Sequence, residues 1–65
     1  MARRTVKARN LRIGDIVLGY GPLETMNQLW FNDTMQERTW DCYFKTSDGI
    51  VNSLIHDNDT VLIDR

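Results

Sequence analysis

The chain holds one cysteine, Cys42, and one proline, Pro22, among its 65 residues. A single thiol excludes an internal disulfide and a cysteine-rich zinc cluster, so a reducing cytoplasm is the expected compartment. Long hydrophobic runs are missing as well. Nothing approaches the roughly 20 apolar residues of a spanning helix. No apolar run of about seven residues follows the paired Arg3 and Arg4, as an export signal requires. The expectation is a chain with no signal peptide and no membrane contact. The motifs of catalysis are also absent, with no G-x-S-x-G elbow, no phosphate loop and no His-Glu-x-x-His helix. The one histidine, His56, sits in "IHDND", which lacks the glycine and glutamate of a calcium loop and reads as an exposed polar turn. Neither metal nor cofactor is expected, and a domain this small has little room for an enclosed substrate pocket. Enzyme activity is rejected.

What is present is a lopsided charge. Arg3, Arg4, Lys7, Arg9 and Arg12 fall in the first twelve residues with no acid among them. The remainder carries all nine acids against Arg38, Lys45 and Arg65, so a net charge of −1 conceals a basic start and an acidic body. Residues 1–10 therefore read either as a basic arm that meets phosphates or as an edge strand kept from aggregating by its charges. Val6 and Ala8 alternate with Lys7 and Arg9, so one stretch can serve as both.

The composition, 42% hydrophobic and 26% charged, is that of a folded chain. Residues 1–65 form one domain near the lower limit of independent folding, and self-association would add burial. "TWDCYFKT" alternates with period two. Trp40, Cys42 and Phe44 take one face, and Thr39, Asp41, Tyr43 and Lys45 the other. Cys42 on the apolar face is a packed, inert thiol, and Trp40, Phe44, Val17 and Val61 are the expected core. Asp48-Gly49 suits a type I′ hairpin turn. "IVNSLI" and "TVLID" are two further strands, and Ile16–Tyr20 is a strand closed by the Gly-Tyr-Gly-Pro breaker. In "PLETMNQLWF", Leu23, Met26 and Trp30 fit helical spacing behind a proline, whereas Leu23, Thr25, Leu29 and Phe31 share a strand face. The strand is preferred, because a short helix is marginal alone.

"LRIGDIVLGY" resembles the L-x-x-G-D-x-V opening of SH3-like and KOW-like barrels, and "YFKTSDGIVNSLI…TVLI" is similar to their closing hairpin, 3₁₀ turn and final strand. Together these cover about two-thirds of the chain. The resemblance implies an all-β fold, a small five-stranded SH3-like barrel with a long irregular second-strand region. A single barrel of this size also looks like the accessory proteins that phages encode, which would place it in the host cytoplasm.

Three non-catalytic functions follow. The first is a module binding nucleic acid or nucleotide phosphates through Arg3, Arg4, Lys7, Arg9 and Arg12. Tyr43 and Lys45 would add a stacking ring and a cation on one strand face. The second is a protein-interaction module, such as a phage-type inhibitor of a host protein, using an aromatic or acidic surface. The third is a structural subunit of a homo-oligomer. Trp30 is the candidate interface residue, because aromatic side chains dominate interface energetics.

Overall fold

The computed structural model describes residues 2–65. Six strands make one antiparallel sheet: β1 Arg3–Lys7, β2 Ile16–Val17, β3 Gly21–Asn32, β4 Glu37–Thr46, β5 Gly49–His56 and β6 Thr60–Asp64. A 3₁₀ turn, Ala8–Asn10, follows β1, and no α-helix occurs among the described residues. The strand order is β1-β6-β2-β3-β4-β5. The fold is mainly β, as expected, and Pro22–Asn32 is strand rather than helix. Against the expected five-stranded SH3-like barrel, six strands form, and the sheet does not close into a barrel. The basic lead-in adds a sixth strand on β6, and no ladder joins β1 to β5. After β1 the chain turns as the 3₁₀ segment Ala8–Asn10, which packs against β5 without forming a ladder. There Ala8 N–H donates to Asp59 O (2.8 Å), and Ala8 is fully buried.

Glycine shortens the second strand. The sequence suggests Ile16–Tyr20, but the strand spans only Ile16–Val17; Leu18 N–H still donates to Leu62 O (3.0 Å), and Gly19 (φ +90°) turns the chain into β3. Gly21 is required twice over. Its φ is +127°, and a Cβ there would stand 2.5 Å from Lys45 O. The β4–β5 hairpin turns at Ser47-Asp48, but not as type I′. That turn needs positive φ at both central residues, and here only Gly49 is positive (+122°). Thr46 supplies the alternative, since its Oγ1 accepts from Asp48 N–H (3.2 Å) and donates to Gly49 O (2.8 Å).

The core comprises Ala8, Leu11, Val17, Leu23, Cys42, Phe44, Ile55 and Ile63. Tyr20 stacks on Phe44 with ring centroids 4.7 Å apart. Phe44 and Val17 are buried as the alternation requires, whereas Trp40 and Val61 are only half-buried at the margin. Two buried carboxylates tie distant segments together. Asp15 accepts from Arg12 N–H (2.9 Å) and from both Nε and an Nη of Arg65 (3.1 and 2.7 Å). Asp57 accepts from Trp40 Nε1 (2.6 Å) and Arg38 N–H (3.0 Å), fastening β4 to the turn before β6.

Candidate functional site

The basic residues do not assemble on one face. Register pairs Arg3 with Asp64 and Arg4 with Ile63, and successive residues of a strand point to opposite sides. Arg4 and Val6 thus share the side of Ile63 and Val61, while Arg3 and Lys7 take the other. Lys7 lies four residues, or about 13 Å, along the strand from Arg3. Its Nζ donates to Asn58 O (3.3 Å) and Thr60 Oγ1 (3.4 Å), and an Nη of Arg9 donates to Asn58 Oδ1 (2.9 Å). Lys7 and Arg9 therefore clasp the β5–β6 turn. Arg12 sits in the Gly14-Asp15 turn. All five side chains are exposed, and none forms an ion pair with a carboxylate among the described residues.

Tyr43 and Lys45 lie on β4, four places from β1 in strand order. Tyr43 is half-buried between Thr25 and Asn52 in register, and Lys45 is exposed opposite Ile50. The sheet order does not bring this pair beside the arm.

Trp30 is the residue whose setting departs most from an ordinary surface. It is 53% exposed and lies opposite Thr39, after a register shift between Gln28 and Trp30. That bulge breaks the alternation, so Leu29, Trp30 and Phe31 are all exposed, together with Met35 in the following turn. The β5 ladder stops at Thr39 opposite His56, so the end of the β3–β4 hairpin extends past it. Met35 N–H donating to Asn32 Oδ1 (3.1 Å) and Gln36 Nε2 donating to Asp33 O (2.7 Å) shape the turn, and Gln36 adopts φ +52°. Asp33 and Glu37 flank the apolar group, and Arg38 stands directly opposite Phe31. Sequence reading singled out Trp30 but missed Leu29, Phe31 and Met35. The run Leu-Trp-Phe was a signal, since three consecutive large apolar residues cannot all face one core from a regular strand.

The remaining titratable groups are structural. Hydrogen bonding from Arg65 holds the Asp15 carboxyl below the usual range. Burial pushes Asp57 upward, but hydrogen bonds from Trp40 and Arg38 and the charges of Arg38 and Arg9 outweigh it, leaving that carboxyl lowered. Burial, with help from Asp41, pushes the Cys42 thiol up to about 11, which leaves it protonated and unreactive. His56 Nδ1 shares a hydrogen bond with Thr39 Oγ1 (2.9 Å) and lies 3.7 Å from Glu37 Oε1. No pocket and no cluster of three metal-ligating side chains occurs among the described residues, and no helix is long and apolar enough to cross a membrane. Comparison with protein-family models, curated proteins and solved structures finds no match to this chain.

Proposed function

We propose that this chain is a non-catalytic protein-interaction module that engages its partner through the end of the β3–β4 hairpin. One observation carries the reading: Trp30 stands exposed with Leu29, Phe31 and Met35 on a hairpin end that β5 does not cover. Exposing such residues together is unfavourable for a solitary domain, and a rimmed apolar cluster marks interaction surfaces. A tryptophan anchored on a strand enters a pocket at little entropic cost and supplies most of the affinity. The LRIGD and YFKTSDGIVNSLI segments support an opened relative of the SH3-like barrels, and the phage-type inhibitor of a host protein is the version that fits a cytoplasmic setting.

A second reading is favoured by a separate observation, that the five cations of residues 3–12 face no carboxylate within ion-pair distance. It makes the chain a binder of nucleic acid or nucleotide phosphates, with contributions from Tyr43 and Lys45. One experiment separates the two. The protein is used to capture partners from cell lysate, with and without nuclease, alongside a Trp30→Ala/Phe31→Ala variant and an Arg3→Ala/Arg4→Ala variant. The hairpin reading expects a protein that survives nuclease and is lost with the aromatic variant. The phosphate reading expects a nuclease-sensitive catch. Its affinity for a labelled oligonucleotide would fall about a hundredfold between about 50 and 200 mM salt, with a slope shallower by up to about 2 in the arginine variant.

A further inference from the structure

The end strands of the sheet are β1 and β5, and β3 is also open beyond its short pairing with β2. β1 carries Arg3, Arg4 and Lys7 in five residues. Beyond its short pairing with β2, β3 is interrupted by register shifts at Leu23/Thr25 and Gln28/Trp30. Charges and bulges are the devices by which sheets block edge-to-edge pairing. β5 has neither. Gly49–His56 reads GIVNSLIH, with no lysine, arginine, acid or proline, and its register against β4 is unbroken from Thr46↔Gly49 to Thr39↔His56.

Ladder alternation decides which of its backbone groups are free. Asp57 N–H donates to Arg38 O (2.9 Å), while His56 N–H donates to Asp59 Oδ2 and its carbonyl accepts from Asp59 N–H. Counting back in twos, Gly49, Val51, Ser53 and Ile55 bond to β4, and Ile50, Asn52 and Leu54 direct N–H and C=O away from the sheet. The side chains of these same three residues share one face. Ile50 is 60% exposed and Leu54 51%.

We propose that β5 is a self-pairing edge, at which two copies of this chain join antiparallel about a two-fold axis through Asn52. This register is self-complementary. Asn52 faces Asn52 of the second copy, and Ile50 faces Leu54 on each side. All three residues then exchange both backbone bonds, so six form, and two sheets become one of twelve strands. A slip of two residues would set Ile50 against Asn52 and lose both apolar pairs, so the side-chain pattern selects the centred register. The absence of charge on β5 removes the repulsion that β1 would bring to the same arrangement. An eight-residue edge of about 26 Å buries less than an obligate dimer needs, so the dimer is reversible and depends on concentration.

Sedimentation velocity from about 1 μM to about 1 mM tests this. The expected result is a reversible rise in mass from 7.6 kDa to twice that value. Ile50→Lys and Leu54→Lys, both at exposed positions, should each weaken the dimer at least about tenfold with an unchanged far-ultraviolet spectrum. Asn52→Cys should cross-link under mild oxidation, because Cα atoms of such a pair stand about 5.5 Å apart, while buried Cys42 stays reduced. Trp30→Ala should leave the dimer intact, so the hairpin reading can fail without touching this one. A chain that stays monomeric to about 1 mM overturns the proposal. So does a dimer that survives both lysine variants and fails to cross-link, or one abolished by Trp30→Ala alone.

Discussion

Replacing Asp57 with alanine should cost this domain much of its stability, although position 57 lies in a turn. The carboxylate is 5% exposed and accepts from Trp40 Nε1 at 2.6 Å and Arg38 N–H at 3.0 Å, with the Arg38 guanidinium 3.7 Å away. Removing it strands two donors. Each buried donor without a partner costs about 1–3 kcal/mol, and the half-buried Trp40 regains some water, so the loss should be about 2–4 kcal/mol. A domain of this length has about 3–10 kcal/mol in total. Urea unfolding followed by Trp fluorescence should show a midpoint lowered by about 2 M or more at an unchanged slope. Asp57→Asn keeps one acceptor and the shape, so it should lose about half as much. The pH dependence has a definite sign. The Asp57 carboxyl lies below its unfolded value, so its contribution is complete above about pH 5 and is lost as pH falls through the folded value. Asp15, held down mainly by Arg65, behaves the same way. Asp57→Asn should therefore flatten the acid limb of the stability profile without abolishing it. A loss under about 1 kcal/mol for Asp57→Ala, with an unaltered acid limb, would refute the view that this carboxylate fastens β4 to the turn before β6.

Two other expectations concern packing. Gly21→Ala must place a Cβ 2.5 Å from Lys45 O at φ +127°, whereas Gly19→Ala meets open space at φ +90°. The first should destabilise by about 3 kcal/mol or more and the second by about 1–2 kcal/mol in a urea titration; equal losses would mean that strain alone sets the cost. Cys42, fully buried with its thiol pushed up to about 11, should resist a thiol reagent at pH 8 for as long as the protein is folded and react at once in denaturant. Rapid modification of the native protein would show that the core opens beside Phe44.

The strands were legible wherever local pattern and burial agreed. In β4 the alternation of Trp40, Cys42 and Phe44 predicts the side that packs, and both Cys42 and Phe44 are fully buried. Trp40 escapes full burial because Asp57, 17 residues away, holds its indole N–H at the core's edge. In β3 the same rule fails after Leu23, since a register shift puts Met26 rather than Thr25 against the core, and past the second shift at Gln28/Trp30 every β3 side chain is exposed. A bulge leaves no mark in the period-two count except the run of Leu29, Trp30 and Phe31. The basic stretch was read correctly as exposed, but its dispersal over two faces of β1, the 3₁₀ turn and the Gly14-Asp15 turn follows from the pairing of β1 with β6.

Sequence by itself determined the β class, the breaker that ends β2 and the inert setting of the one thiol. Each rests on a side chain's immediate backbone geometry or on period-two burial, which neighbours in the chain are enough to specify. The tertiary structure decided the rest: the order β1-β6-β2-β3-β4-β5, the packing of the Ala8–Asn10 turn against β5, the exposed hairpin end, and the contrast between a charged β1 edge and an uncharged β5 edge. These depend on contacts between residues some 50 positions apart, such as Arg65 with Asp15 and Lys7 with Asn58. Local preference is silent on such pairs, because the free energy of closing so long a loop is recovered only when the whole sheet forms.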